Sequence, residues 1–572
     1  MYLKKCVSGK TGRIYLQISQ GYRDQNGKPK AKVIKSLGYL DELQKEYADP
    51  IAHFTEIAKA MTEKASKEKL AAFAIPSDAI IEKGVSNRKN YGHIVFSKIY
   101  HELAIDRFLD NSRRHEKFKF NSEAIMRLLL FGRLLYPHSK KKTFEIKEKF
   151  FDNFKFSLGD IYECLAHYDK IGTDLQRFLH ERVKEQYNRD TSLIYYDVTN
   201  YYFDIDIEDD LRKRGAEKNN RKDPIVQMGL ALDKQGIPVA YDLFPGNTHD
   251  SQTLMPILKR IKKEYDTDRI IVVADKGLNS GDNIAFNSVL GDGYIFSKSV
   301  RGASAKFKEW VLKENDYKTG NSYRRKSDVF PTKIEVTVSQ TGNKKTKKTV
   351  VLDQKYVVIY SEKYAKRCKI KREQMLAKAA DLIANPSKYK RASAYGAAGY
   401  VKNIKFDKAT GEIIDTKETR YLDMEKIREE EKYDGYYAIV TSELDKPDDE
   451  IIEAYHGLWR IEESFKITKS TLDARPVFLQ NKNHINAHFL ICFIALLISR
   501  LVEIRLGNKY NAEKIIDTLR QVECSHIEQN YYLFDFANET TDDINVVFDV
   551  GMGKKIMTLG EIKKNLGLVK KS

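Results

Sequence analysis

The stretch "DRIIVVADKGL" (Asp268–Leu278) decides how the middle of this chain is read. Its five apolar residues, Ile270 to Ala274, are mostly β-branched and show no polar alternation. A run this short and apolar predicts a strand buried on both faces, as in a sheet covered by helices. In such sheets ligands gather at the carboxyl ends of the strands, and here that end carries Asp275. On this stretch alone, a turn or helix cap is the commoner explanation of the aspartate.

Its neighbours supply the context. "SLIYYDVTNYYF" (Ser192–Phe203) is a second β-rich run, with Asp197 set among Leu193, Ile194, Tyr195, Tyr196 and Val198. A carboxylate in so apolar a strand costs several kcal/mol unless a partner or a metal ion meets it. "IVQMGLALDKQGIPVAYDLF" (Ile225–Phe244) reads as a hairpin turning at "DKQG", and a helix is predicted over about 252–264. "GYIFSKSV" (Gly293–Val300) follows a short helix as another strand, and "DGYYAIVTS" (Asp434–Ser442) restores a buried strand much later. Three strands in meander, then helix, strand, helix, strand, is the order of a ribonuclease H-like α/β domain. The expected core is a mixed sheet flanked by helices.

Between about 305 and 432 a β-rich insertion interrupts that order. It holds a hairpin ("TKIEVTVSQ" and "TVVLDQKYVVIYS"), a basic helix over about 361–384, and a second hairpin around "DKATGE". At the other end, "GRIYLQISQGYR", the turn "DQNGK" and "AKVIKSLGYL" predict an N-terminal hairpin. Helical periodicity then dominates, as in "SEAIMRLLLFGRLLY" (Ser122–Tyr136), which is expected to start at a serine cap and stop before Pro137. The expected organisation is an N-terminal hairpin module over 1–48, a helical DNA-binding region over 49–187, and the catalytic core in two parts, 188–304 and 433–507. The insertion at 305–432 divides that core, and a tail of mixed helix and strand at 508–572 offers a dimerisation or DNA contact.

The second part of the core contains "YHGLWRIEESFKITK" (Tyr455–Lys469), a helix with adjacent acids. At about 100° per residue, Glu462 falls roughly 40° from Leu458 and 60° from Phe465, within the apolar stripe. Glu463 falls toward the outer face, where a solvated acid is unremarkable. Pairing of Glu462 with Lys466 at i+4 would be the structural alternative. Tyr455 and Lys469, seven residues either side of Glu462, lie near its face. Two aspartates on adjacent strands and a glutamate from a packed helix make an oxygen-rich site for two Mg²⁺ ions, with Mn²⁺ as a substitute.

Composition agrees with a polyanion partner. Lys plus Arg number 99 against 81 Asp plus Glu, and clusters recur at "NSRRHEKFKF", "PHSKKKTFEIKEK", "RKRGAEKNNRK", "GNKKTKK" and "KYAKRCKIKR". A basic solubilising surface is the plainer reading of the same charge. The cysteines are scattered with no C-x-x-C pair, as expected in a reducing compartment and against a thiolate zinc site. "MYLKKCVSGKTGRIYLQ" lacks the apolar stretch of a signal peptide, and "FLICFIALLI" (Phe489–Ile498) is about half a membrane span. A cytoplasmic protein is expected.

Taken together, Asp-Val-Thr in one strand, "FPGNTHDSQTL" (Phe244–Leu254), "VVADKGL" (Val272–Leu278) and Y-x6-E-x6-K on a helix resemble bacterial insertion-sequence transposases of the DDE type. The group is the one whose acidic helix bears a Tyr-Arg-Glu-Lys (YREK) signature. The resemblance covers most of the chain, including "SLGYLDEL" and "YPHSKKKT", and the 187 positions from Asp275 to Glu462 match the β-rich insertion of that group. It implies Asp197, Asp275 and Glu462 as the catalytic, metal-binding triad, with Tyr455 and Lys469 on DNA phosphates. Arg460, Lys466, Lys140, Lys141 and Lys142 complete the candidate DNA contacts. The signature's arginine falls at Leu458, and Arg460 lies about 200° further round the helix. His249 and Asp250 are expected to shape a loop near the site. Double-stranded DNA, as inverted repeats and target, and a second copy of the chain are the implied partners. A nuclease without strand transfer, or a DNA-binding protein that has kept only the fold, would also use these residues.

Overall fold

A computed structural model describes residues 1–9, 12–23, 28–68, 86–114, 116–215, 223–265, 267–320, 322–341, 344–385, 396–403, 405–406, 413–414, 420–475 and 477–571. They form two compact units, Met1–Gly172 with Ser470–Ala474 and Asn483–Ser572, and Thr173–Lys469 with Arg475–Lys482.

The first unit opens with a three-stranded antiparallel sheet, β1 (Tyr2–Val7), β2 (Ile14–Arg23) and β3 (Pro29–Tyr39). β2 and β3 are the expected hairpin, whose turn lies mostly outside the described residues. β1 was not foreseen: it is an edge strand, mostly exposed, so its sequence carries little apolar alternation. Helices α1 (Leu40–Leu43) and α2 (Pro50–Glu68) and strand β4 (Arg88–Asn90) follow. Then come α3 (His93–Glu102), α4 (Ile105–Arg113), α5 (Ser122–Leu135) and α6 (Lys140–Glu145). α7 (Leu158–Tyr187) contains the boundary between the units. α5 is buried along its whole length, and its cap is Asn121 rather than Ser122: the Asn121 side chain accepts from the Ala124 amide at 3.1 Å.

The second unit is built on a nine-stranded sheet. β5 (Leu193–Tyr202), β6 (Ile225–Leu232) and β7 (Pro238–Pro245) form the antiparallel meander. After α8 (Leu254–Glu264), β8 (Ile271–Ala274) returns parallel to β5. After α9 (Gly281–Val289), β9 (Gly293–Lys298) lies parallel to β8. The spatial order β7-β6-β5-β8-β9 is that of a ribonuclease H-like sheet. The insertion begins with α10 (Ala305–Leu312) and β10 (Lys318–Thr319). Its long hairpin, β11 (Arg324–Thr341) and β12 (Lys344–Tyr360), extends the same sheet. Next come the basic helix α11 (Glu362–Ala384) and two short pairs, β13 (Val401–Lys402) with β16 (Tyr421–Leu422) and β14 (Lys405–Phe406) with β15 (Ile413–Ile414). The turn "DKATGE" lies outside the described residues. α12 (Met424–Glu431) leads to β17 (Tyr436–Thr441), which pairs antiparallel with β9 on one side and β12 on the other. α13 (Asp448–His456) and α14 (Trp459–Lys466) close the unit.

One face of this sheet is the main core. Ile194 and Tyr196 of β5, Val272 and Ala274 of β8, Tyr294 and Phe296 of β9 and Val440 of β17 pack there with Leu254, Ile257, Leu258 and Ile261 of α8 and Ile284 of α9. These are alternate residues of each strand, so the residues between them face the other way.

The remaining elements return to the first unit: α15 (Lys482–Arg505), α16 (Ala512–Gln521), β18 (Glu523–His526), β19 (Tyr531–Phe534), α17 (Glu539–Phe548), β20 (Ile556–Thr558) and α18 (Leu559–Val569). The strands form a sheet in the order β20-β19-β18-β4. α15 is long and apolar enough to cross a membrane, but its apolar window is 94% buried, as a core helix would be.

The first unit also buries charge. Arg127 is held between Glu123, 2.5 Å from its Nε, and Asp152, and His93 Nε2 stands 3.6 Å from Asp152 Oδ2. Burial pushes the Asp152 carboxyl up, but the nearby His93 ring and the Arg127 charge outweigh it and hold the group well below the ordinary range. A carboxyl with a lowered folded pKa stabilises above its unfolded value, near 4, and that stabilisation fades as pH falls further. At pH 6, Asp152→Asn should lower unfolding stability by about 3 kcal/mol, the cost of breaking a buried pair. The urea midpoints of the two proteins should converge as pH falls below about 4.

Candidate active site

Strand register brings the predicted acids together. β5 and β8 pair Leu193 with Ile271 and Tyr195 with Val273, and the same offset two residues further sets Asp197 opposite Asp275. β8 and β9 pair Ala274 with Phe296, so the next rung sets Asp275 opposite Ser297. All three belong to the face turned away from the main core. Asp275 is still extended and stands just before the short turn Lys276–Leu278, with no capping hydrogen bond from its side chain. It is exposed, Asp197 and Ser297 are half-buried, and Ser297 Oγ donates to Asp275 Oδ1 at 2.6 Å. Neighbouring strands run about 4.8 Å apart, which places one polar side chain per strand in a row.

The helical segment lies over this face. A Cβ on Gly457 would collide with the Tyr195 hydroxyl, Tyr201 Oη lies 2.8 Å from Thr468 Oγ1, and Lys469 Nζ donates to Thr199 Oγ1. Tyr195, Thr199 and Tyr201 are the residues of β5 that share the Asp197 face. The buried stripe of the segment is Ile461, Ser464, Phe465 and Thr468. Glu462 is exposed and Glu463 half-buried, the reverse of the expected order. The segment is not one straight helix: it breaks at Gly457–Leu458, tightens through i→i−3 bonds from Leu458, Arg460 and Ile461, and ends in a π turn at Ile467–Thr471. Angles counted from Leu458 therefore misplace the stripe. Within α14, counted from Ile461 at about 100° per residue, Glu462 lies on one flank of the stripe and Arg460 on the other.

The two ends of the segment meet different strands. Tyr455 is half-buried close to Ser297 of β9, and burial pushes its pKa up to about 12, with the charges of Asp275 and Glu462 adding to the rise. Lys469 reaches Thr199, over β5, and its ammonium lies 5.5 Å from the Tyr201 ring centroid. Glu462 lies between Tyr455 and Lys469 on the segment and is exposed.

The other candidates separate. Arg460 packs on Tyr195, 5.8 Å from its ring centroid, and against the turn at Gly236. Leu458 is 9% exposed, so the position of the signature's arginine is filled by a core side chain. Lys466 is exposed. In the first unit, Lys141 and Lys142 are exposed, but Lys140 is buried 3.4 Å from His488 Nδ1. Burial pushes the Lys140 ammonium down to about 7, with Arg133 adding to the fall. Lys140 is therefore corrected from a DNA contact to an interior residue, because its place on α6 faces His488 while Lys141 and Lys142 face outward. His249 Nδ1 accepts from the Ser251 amide at 3.3 Å and so shapes its loop, while a Cβ on Gly277 would lie 3.7 Å from Asp250 Oδ2. Ser297 was missed, although it ends the apolar run "GYIF" much as Asp275 ends "IIVVA".

Among the described residues no three acidic, histidine or cysteine side chains stand close enough to form a closed metal cage. The three acids nonetheless suit a hard divalent ion by chemistry, being all carboxylate oxygens. Such ions are commonly held by one or two carboxylates, with water and substrate phosphates completing the shell.

Two family models match the chain. The transposase DDE domain matches residues 203–498, more than half of it, and the IS1634 family transposase N-terminal domain matches residues 3–73. Asp275 and Glu462 lie within the larger match and Asp197 just before it. Among solved structures, a piggyBac transposase synaptic complex with hairpin DNA is similar at 7% identity and TM-score 0.34, over 84% of each chain. A Mos1 transposase paired-end complex is similar at 13% identity and TM-score 0.14, over 41% of this chain and 66% of that one. No curated protein matches.

The close approach of the helical segment to β5 gives a direct test. Gly457→Ala should destabilise the protein by about 1–3 kcal/mol, the usual cost of overpacking. Gly567→Ala, a helical position with open space around it, should be neutral or slightly stabilising in the same urea titration.

Proposed function

The chain belongs to the DDE transposase family, metal-dependent enzymes that act on DNA, and on that premise we propose that Asp197, Asp275 and Glu462 are its catalytic triad. The observation that carries this reading is the alignment of Asp197 and Asp275 on adjacent rungs of one face, beneath a helix segment whose Lys469 donates to Thr199 of that face. Asp197, Asp275 and Glu462 would hold two Mg²⁺ ions, or Mn²⁺ in their place. Ions bound there activate a water or a 3′-hydroxyl and stabilise the leaving oxygen of a phosphodiester.

The chain's own residues prepare that chemistry. Lys469 is held near the acids by Thr199, and a DNA phosphate would compete for its ammonium. Tyr455 presents a neutral phenol on the same segment. Membership of the YREK group rests on Tyr455, Glu462 and Lys469 alone, because Leu458 is buried. Arg460, on the opposite flank, and exposed Lys466 would meet DNA outside the reacting centre. Lys141 and Lys142 on α6, and the exposed Lys363, Lys366, Arg367, Lys369 and Lys371 on α11, offer charge for the duplex.

The regions before the catalytic sheet, 1–48 and 49–187, would recognise the inverted repeats of an insertion sequence. The sheet of 188–304 and 433–507 would cut them, with the insertion at 305–432 beside it. The freed 3′-hydroxyls would be joined to target DNA in the cytoplasm by a homodimer holding both ends, to which 508–572 contributes.

Alanine at Asp197, Asp275 or Glu462 should reduce Mg²⁺-dependent end cleavage at least a thousandfold while gel-shift binding of the ends persists; Glu463→Gln should cleave nearly normally. A Glu462→Ala protein that cleaves fully would remove Glu462 from the triad. Supplying cut ends with target DNA distinguishes a transposase from a simple nuclease, since only the former yields joined products. The Lys141→Ala/Lys142→Ala protein should bind ends with a log K against log salt slope shallower by about 2, if each lysine meets one phosphate.

A further inference from the structure

We infer that Ser297 is a positioning residue for the reaction, orienting the Asp275 carboxylate. The inference rests on Asp275 being a metal ligand, as proposed above. Ser297 has one hydroxyl proton, and a carboxylate can only accept, so the 2.6 Å bond runs from Ser297 Oγ to Asp275 Oδ1. That length is typical of a hydroxyl donating to a charged oxygen, the stronger class of such bonds.

This arrangement occupies one oxygen of Asp275 from the strand side and holds the carboxylate in one orientation, leaving Oδ2 to face a bound ion. The backbone reinforces it: Asn279 Nδ2 donates to the Ser297 carbonyl at 3.0 Å and fastens the turn that follows Asp275. Ser297 itself is fixed in register by Ile439 on the neighbouring strand.

The experiment uses the full-length protein, with Mn²⁺ binding followed by calorimetry in the absence of DNA and cleavage of a DNA end measured separately. Ser297→Ala should weaken Mn²⁺ binding and slow cleavage by about 10- to 100-fold, the usual effect of losing a hydrogen bond to a metal-ligating group. Its melting temperature and its binding of DNA ends should be close to wild type. Ser297→Thr, which keeps the hydroxyl and suits a strand, should restore both. Wild-type Mn²⁺ affinity in Ser297→Ala would overturn the inference, as would a folded Ser297→Thr protein as weak as the alanine variant. Asp275→Asn separates the two levels. If it loses Mn²⁺ binding while Ser297→Ala does not, only the role of Ser297 fails; if it binds Mn²⁺ like wild type, the assignment of Asp275 fails.

Discussion

The site depends on the shared register of three parallel strands. β5, β8 and β9 are aligned so that consecutive rungs carry Asp197, Asp275 and Ser297. Because side chains alternate with a period of two, the same register that sends Tyr196, Ala274 and Phe296 into the core sends these three polar groups to the opposite face. A slip of one residue in any of the three strands would bury a carboxylate or hydroxyl in the apolar core and expose a large hydrophobic side chain. The burial that holds the sheet together thus also enforces the alignment of the polar groups.

The helix segment adds the third acid by a different means. Its buried stripe of Ile461, Ser464, Phe465 and Thr468 seats it on β5, and the absence of a side chain at Gly457 lets it come close. Glu462 stands at the edge of that stripe. An acid at the centre of the stripe would be desolvated against the sheet at a cost of several kcal/mol. An acid at the edge keeps its water.

Much of this was legible in the residues. The apolar runs ending in Asp275 and surrounding Asp197 marked central strands, and the meander followed by strand–helix alternation gave the sheet order. Local signals were weaker where a neighbour decided the outcome. β1 carries little alternation because only one side of it meets the protein. Asn121 displaced Ser122 as the cap because either can accept an amide at that position. Lys140 looked like one of three equivalent lysines, yet helix phase turns it into the interior beside His488. The insertion was foreseen as an interruption, but its long hairpin joins the main sheet, since β17 offers β12 a free edge between them and β9.

What the sequence by itself determined was the chemistry available and the order of the elements: three acids, their flanking apolar strands, the Tyr-Glu-Lys spacing and the excess of positive charge. These are properties of composition and period, and a single chain displays them before it folds. Only the tertiary structure decided which side chains meet. The pairing of Asp275 with Ser297, the choice of helix flank for Glu462 and the burial of Lys140 all depend on rungs and phases between segments far apart in the chain. A break at Gly457–Leu458 and a π turn at Ile467–Thr471 shift those phases by tens of degrees, and no count along an ideal helix can anticipate them.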